Sequence, residues 1–262
     1  MWDVPAEPSD AFTGRAVTPD FTVRYGPGRD QIADVFLPPG TPTGPLVIFV
    51  HGGFWRVAYD RAHAAPLAAD LARRGYRVAC VEYRRIGQAG GGWPGTFDDV
   101  AAAVTRVPDL VAAAVATAVG RPVVTGSVVA GHSAGGHLAL WAGARPELRV
   151  GAVLALAPVA DLALAYRLDL GRGAVGELLG GAPDELPDRY AYGEPGRPVA
   201  PTAIVHGGAD DVVPVAVSRS YARRVPGVRL VELPEVDHFA VIDPDSTAWS
   251  TVLASLAALL PR

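Results

Sequence analysis

Several residue types are scarce or missing in this sequence of 262 residues, and each absence narrows what the chain can be. There is one cysteine, Cys80, so no intrachain disulfide can form. Lysine is absent, so arginine supplies all the fixed positive charge, and the net charge is −4. Because no basic block or stripe appears, we expect no nucleic-acid partner.

Long uninterrupted apolar runs are missing too. Arg, Asp or Pro interrupts the alanine-rich stretches before they reach membrane-spanning length. Residues 1–14 have neither the basic nor the apolar region of a secretory signal. No His, Cys or Asp cluster has metal-ligand spacing, and there is no glycine-rich phosphate loop. We therefore expect a cytoplasmic protein that uses no cofactor, no metal and no membrane.

The hydrophobic residues, which make up 50% of the chain, follow strand-like and helix-like patterns in turn. The segments FTVRYG and QIADVFLPPG predict an antiparallel pair of strands. The run PLVIFV predicts a strand buried on both faces. Strands and helices then alternate to the C-terminus, which is typical of βαβ units and a mostly parallel sheet. Because no repeat or linker divides the chain, the sequence predicts one α/β domain over residues 1–262.

Local signals predict where some of these elements begin and end. One helix is expected over residues 96–119, with a kink or break at Pro108. The last helix is expected over residues 244–260. Residues 161–198 lie between two predicted strands and are rich in Gly, Pro and charge. We interpret this segment as a small lid or cap.

The segment Gly131-His132-Ser133-Ala134-Gly135 places a serine between a predicted strand and a predicted helix. In that context the G-x-S-x-G pattern is typical of a nucleophile elbow, a sharp turn that projects the hydroxyl from the carboxyl edge of the sheet. The glycines keep side chains out of the turn. The alternative is a Gly-Ser turn that only caps a helix, but the strand–turn–helix context favours Ser133 as a nucleophile.

A serine nucleophile needs a general base, and six histidines are available. We favour His238, in the loop between the last strand and the last helix, because the order Ser…Asp…His places the base late in the chain. The loop HGGADDVVP offers a carboxylate that would orient the imidazole. Asp210 is the preferred acid and Asp211 the second candidate. Asp237 is expected to cap its own loop.

The segment VIFVHGGFWR ends a predicted strand with two glycines, whose bare backbone leaves N–H groups free to face the site. The amides of Gly53, Phe54 and Ala134 are therefore the candidate donors of an oxyanion hole. Trp55 and Trp93 flank the same predicted edge of the sheet. They are candidates for the wall of an aryl or acyl pocket, and core packing is the alternative for either ring.

Three motifs occur in a fixed order: HGGFW at residues 51–55, GHSAGGH at 131–137 and HGGAD at 206–210. Together they resemble the α/β-hydrolase superfamily over nearly the whole chain. The resemblance implies the α/β-hydrolase fold, a mostly parallel sheet of eight strands flanked by helices, with a small lid insertion and metal-free hydrolysis. Within the superfamily, HGGFW with GHSAGGH is similar to the kynurenine formamidase (arylformamidase) branch and to small bacterial carboxylesterases.

The residues and the resemblance together predict a serine hydrolase that cleaves a small carboxylic ester or an N-formyl aryl amide (EC 3.1.1 or 3.5.1). Ser133, Asp210 and His238 would form the catalytic triad. A thioesterase or acyltransferase of a biosynthetic pathway would use the same residues, so that alternative stays open. A non-catalytic binding protein on this scaffold is a third alternative, which three filled triad positions disfavour. The expected partner is a small-molecule ester or amide.

Overall fold

Eight strands form one sheet in the part of the chain that the structure, a computed structural model, describes: residues 17–119 and 127–260. The expectation for residues 1–14 falls outside that part. The strands are β1 (Phe21–Arg24), β2 (Ile32–Phe36), β3 (Leu46–Val50), β4 (Arg77–Val81), β5 (Ser127–His132), β6 (Ala152–Leu156), β7 (Thr202–Gly207) and β8 (Arg229–Leu233). Their order in the sheet is β1-β2-β4-β3-β5-β6-β7-β8.

The sheet is antiparallel only where β2 pairs with β1 and with β4, and all other neighbours are parallel. This arrangement confirms the expected N-terminal antiparallel pair and the mostly parallel sheet of eight strands. The central strands are buried on both faces, with side chains alternating between two apolar clusters. Val129 and Ile204 belong to one cluster, Val128 and Leu154 to the other.

Helices cover both faces of the sheet. They are α1 (Ala65–Arg73), α2 (Gly95–Val119), α3 (Ala134–Gly143), α4 (Leu162–Arg167), α5 (Ala174–Leu179), α6 (Pro187–Gly193), α7 (Ala216–Arg224) and α8 (Trp249–Ala258). Helices α1 and α8 pack on one face, and α2, α3 and α7 pack on the other. In the described residues, no helix is both long enough and apolar enough to span a membrane.

The helix predicted over residues 96–119 is confirmed, but the break considered at Pro108 is absent and the predicted start of the last helix is wrong. The helix α2 continues through Pro108 without a break, because Val104, Val107 and Val111 are buried against the sheet and hold it in place. The last helix begins at Trp249 instead of near residue 244. The side chain of Asp243 accepts a hydrogen bond from the amide of Asp245 and so favours a turn over a helix there.

The carboxyl ends of the parallel strands β3, β5, β6, β7 and β8 meet at one edge of the sheet. The HGGFW loop follows β3, and Ser133 follows β5. The HGGAD motif begins in the last two residues of β7 and continues into the loop after it. The loop of His238 follows β8. Residues 161–198, here called the cap segment, carry α4, α5 and α6 between β6 and β7. The topology therefore places every candidate site residue from these loops at the same edge.

Candidate active site

Ser133 stands between β5 and α3 in a strained backbone conformation, with φ 56° and ψ −119°. A non-glycine residue with positive φ is uncommon and persists only where its surroundings hold it. Three backbone bonds do so here. The amide of Ser133 donates to the carbonyl of Leu156 at 2.9 Å, and its carbonyl accepts from the amides of His137 and Val159 at 3.0 and 3.2 Å. Ser133 is only 2% exposed.

Glycines allow the backbone to pack closely around this turn. A Cβ on Gly131 would lie less than 3.0 Å from the carbonyl oxygen of Gly135, and a Cβ on Gly135 would lie equally close to that of Val50. A Cβ on Gly52 would stand 3.1 Å from the Cβ of Ser133. The end of β3, the HGG turn and the elbow are therefore in direct contact, and side chains at these glycines would separate them.

His238 and Asp210 form a buried pair. The Nδ1–H of His238 donates to Oδ2 of Asp210 at 2.7 Å, and the two residues are 2% and 7% exposed. The other carboxylate oxygen of Asp210 accepts the amides of Val212 and Val213 at 2.9 and 2.7 Å. Burial alone would raise the pKa of Asp210, but the interactions with His206, His238 and the amide of Val213 outweigh it and hold this pKa well below its usual range.

The two other acids considered as partners of His238 are placed differently. Asp211 is exposed, while its neighbour Asp210 is buried beside the imidazole. Asp237 caps its own loop, as the sequence predicts: its Oδ1 accepts the amides of Phe239 and Ala240 at 2.9 and 2.8 Å. Within the described residues, the imidazole of His238 hydrogen-bonds to the carboxylate of Asp210 and not to that of Asp211 or Asp237.

His132 connects the elbow to the loop that carries His238. Its Nε2–H donates to the carbonyl of His238 at 2.9 Å, and the centres of the two rings are 4.5 Å apart. Burial, together with the nearby His238, holds the pKa of His132 well below its usual value, so its ring is neutral. The loops after β7 and β8 also pack together, because the amide of Ala209 donates to the carbonyl of Val236 at 3.1 Å. The serine and the Asp–His pair are thus parts of one packed edge.

The HGGFW loop has three successive residues with positive φ: Gly53 (105°), Phe54 (49°) and Trp55 (57°). The backbone amides of Gly53 and Phe54 make no hydrogen bond within the described part of the chain. Ala134 is the first residue of α3, so its amide has no partner inside the helix. Amides left free in this way can donate to an anionic oxygen.

The two candidate pocket tryptophans occupy different positions. Trp55 is 0% exposed and packs edge-on against His137, with 5.2 Å between ring centres, which corresponds to the core-packing alternative. Trp93 is half-buried against the cap segment, its ring 4.8 Å from that of Tyr192. Phe54 lies against Gly171 of the cap segment, where a Cβ would meet its ring. Phe54 and Trp93 therefore both contact the cap segment, as Phe97 and Trp141 do through Tyr192.

His51, which the sequence suggests as a hydrogen-bonding brace for the HGGFW loop, belongs to a buried polar cluster whose other members, Glu82 and Tyr83, were not anticipated. Nε2 of His51 lies 2.7 Å from Oε1 of Glu82, and Tyr83 stacks on the His51 ring and donates to its carbonyl at 3.0 Å. Burial would raise the pKa of Glu82, but His51 and Arg85 outweigh it and lower this pKa to about 2. The one feature of the sequence that could have pointed to this cluster is the position of Glu82, directly after the strand β4.

The strand order, the strained serine after β5 and the Asp–His pair define the α/β-hydrolase fold. The profile of the BD-FAE family matches residues 33–225, well over half of the chain, so the chain belongs to that family. In the described residues, no group of three or more His, Cys, Asp or Glu side chains is arranged to hold a metal ion.

The chain is also similar to several characterised proteins. It is 33% identical to kynurenine formamidase from Drosophila melanogaster over 48% of this chain and 38% of the relative. It is 29% identical to the esterase LipQ from Mycobacterium tuberculosis over 88% of this chain and 59% of the relative. The chain thus covers less than two thirds of the length of either relative. These similarities confirm the resemblance to the superfamily and to its formamidase and esterase branch.

A solved structure confirms the fold. Esterase B from Lactobacillus rhamnosis superimposes with a TM-score of 0.72 at 22% identity, covering 96% of this chain and 89% of that one. At this identity the likeness bears on the fold alone.

Gly135→Ala tests the close packing at the elbow. Alanine is the better helix former, yet the added Cβ would collide with the carbonyl of Val50. We expect the free energy of unfolding to fall by roughly 3 kcal/mol, measured by urea denaturation. The control is Gly40→Ala, where a Cβ would meet nothing within 4 Å. A Gly135→Ala variant as stable as this control would contradict the packing argument.

Glu82→Gln tests the buried cluster. Glutamine keeps an acceptor oxygen but removes the buried negative charge that faces His51 and Arg85, which costs on the order of 3 kcal/mol at neutral pH. The lowered pKa of Glu82 gives stability that is fully present above its ordinary value of 4.5 and is lost as the pH falls toward about 2. The stability difference between wild type and variant should therefore shrink as urea denaturation is repeated from pH 7 down to pH 3. A difference that stays constant over this range would exclude a lowered pKa at Glu82.

Proposed function

We propose that this protein is a serine hydrolase that cleaves a small carboxylic ester or an N-formyl aryl amide. Ser133 is the nucleophile, His238 the general base and Asp210 the acid that orients it. The bond of 2.7 Å from Nδ1 of His238 to Asp210, on a loop that contacts the elbow of Ser133, is the main support. Because Nδ1 is bonded to the carboxylate, Nε2 is the nitrogen that would accept the proton of the serine.

The proposed reaction proceeds in two halves. His238 takes the proton of the Ser133 hydroxyl while Oγ attacks the carbonyl carbon of the substrate, and the carbonyl electrons move onto its oxygen. The amides of Gly53, Phe54 and Ala134 would donate to this oxyanion. The tetrahedral intermediate collapses, and the imidazolium of His238 protonates the departing alcohol or amine. A water molecule, deprotonated by His238, then attacks the acyl-enzyme, and release of the acid restores the Ser133 hydroxyl.

Two observations support a small acyl group. Ser133 and His238 are each only 2% exposed, so the reacting groups lie in an enclosed site. The similarity to kynurenine formamidase from Drosophila melanogaster supports a formyl amide, and the similarity to LipQ supports an ester. Transfer of the acyl group to another acceptor would use the same residues, and the identity of the product distinguishes it from hydrolysis.

Ser133→Ala should lower turnover by about 10⁶-fold, because the variant cannot form the acyl-enzyme. Wild type and variant would be assayed on p-nitrophenyl acetate, p-nitrophenyl octanoate and N-formylkynurenine, with the free acid quantified as product. A preference for the formyl amide supports an arylformamidase, and a preference for the acetate supports a carboxylesterase. Undiminished activity of Ser133→Ala, or failure of a fluorophosphonate to label Ser133 in the wild type, would rule out the serine mechanism.

Asp210→Asn and Asp211→Asn form a matched pair, because the two residues are adjacent and carry the same charge. An amide at residue 210 can no longer accept from Nδ1 of His238 as a carboxylate does, so we expect kcat to fall by about 10⁴-fold. Asp211 is exposed and should tolerate the change within a factor of about two. Equal losses in the two variants would argue against Asp210 as the orienting acid.

A further inference from the structure

A second histidine, His206, contacts the carboxylate of Asp210. It lies near the carboxyl end of β7 and is completely buried. Its Nε2 is 2.8 Å from the carbonyl oxygen of Val213 and 3.2 Å from Oδ2 of Asp210. Its Nδ1 is 2.7 Å from the hydroxyl oxygen of Ser218, on α7. Both ring nitrogens therefore have close polar partners.

These partners determine where the proton of His206 lies. A carbonyl oxygen and a carboxylate oxygen can only accept, so Nε2 carries the hydrogen; it donates to Val213, and Oδ2 of Asp210 lies within reach as a second acceptor. In the neutral ring Nδ1 then accepts the hydroxyl hydrogen of Ser218. The hydroxyl of Ser218 thus holds the His206 ring in the orientation and tautomer in which its N–H points toward the loop after β7, which carries Asp210.

We propose that His206, oriented by Ser218, is a positioning residue that donates a second hydrogen bond to Oδ2 of Asp210, the oxygen that also accepts from His238. The inference rests on the proposed function, since it gives Asp210 the role of orienting acid. It adds two residues to the serine, histidine and aspartate proposed above. Neither of the two touches the substrate, and both act through the carboxylate.

The shared oxygen gives His206 a defined effect on the reaction. When two donors bind the same oxygen, Oδ2, each hydrogen bond is weaker than the bond that a single donor would make. Without His206, more of the negative charge of Oδ2 faces His238, and the protonated imidazole of His238 becomes more stable. The acid limb of the profile of kcat/KM against pH should then move to higher pH. The bond to Val213 also fixes the loop, so its loss should lower the rate as well.

The other ionisable groups around this carboxylate are unchanged in the variants of His206, Ser218 and Ser220 proposed below. The residues are Asp211 in the acid loop, Asp237 and His238 in the loop after β8, His132 at the end of β5, and Glu232 of β8, which pairs with Arg219 of α7. A change in the pH profile therefore reports on His206 and Ser218.

His206→Leu and His206→Gln separate loss of the donor from loss of the ring. Leucine cannot donate to Asp210, and kcat/KM should fall by about 10- to 100-fold, the range expected for a hydrogen bond to a charged group. The acid limb should move up by about 0.5 pH unit or more. The amide of glutamine can donate from a similar position, so His206→Gln should recover most of the rate and return the limb toward that of the wild type.

Ser218→Ala and Ser220→Ala test the orientation without changing His206. Both serines lie on α7, and the hydroxyl of Ser220 donates to Asp161 instead of to His206. Ser218→Ala should lower kcat/KM by about three- to tenfold and move the acid limb in the same direction as His206→Leu. Ser220→Ala should leave both quantities unchanged. If His206→Leu does not fold, as judged by circular dichroism, then Ser218→Ala decides the question.

The outcomes distinguish this inference from the proposed function. Ser133→Ala is assayed alongside, and full activity there overturns the triad and the inference with it. Loss of activity in Ser133→Ala, with an acid limb that does not move in Ser218→Ala or in any folded His206 variant, overturns the inference alone. In that case His206 only holds the loop, and its variants lose activity in proportion to their loss of thermal stability.

Discussion

The close approach of bare backbone around Ser133 is the constraint on which the rest of the site depends. The residue is held at φ 56°, and the elbow packs directly on the end of β3 because Gly131 and Gly135 carry no side chains. One packed unit therefore contains the proposed nucleophile, the start of α3 and the HGG turn. Their relative positions follow from backbone contacts, which side-chain motion does not disturb, and this is the rigidity that a preorganised oxyanion site requires.

This close packing around Ser133 also requires that charged side chains be buried beside it. Packing the loops after β4, β7 and β8 against the elbow removes water from Glu82 and Asp210, and each carboxylate is held ionised by several donors. A buried carboxylate with fewer donors would gain a proton and stop orienting its histidine. The hydrogen-bonding partners of these two acids are therefore part of how the edge of the sheet stays both dry and charged.

The sequence predicts the parts of the site that depend on local pattern. The glycines that flank Ser133 and the acidic loop after β7 can each be recognised within one short segment of the sequence. The parallel sheet then brings the ends of β5 and β7 to one edge. The partners of His51 and His206 are not visible, because they depend on how β3 lies beside β4 and how α7 packs on β7. The same holds for Pro108, whose helix is maintained by tertiary packing, a contribution that a local helix-breaking signal does not contain.

Under the proposed function, the elements that could select the substrate lie outside this rigid edge. The cap segment reaches the HGGFW loop through the ion pair of 2.8 Å between Arg56 and Glu177 and through the contact of Phe54 with Gly171. Arg56 and Glu177 are partly exposed, and such a pair contributes little to stability. The pair does show that the cap segment lies next to the loop that carries two candidate oxyanion donors. Under the proposed function, a change in the cap segment would alter which acyl or leaving group is accepted while the backbone unit around Ser133 stays the same.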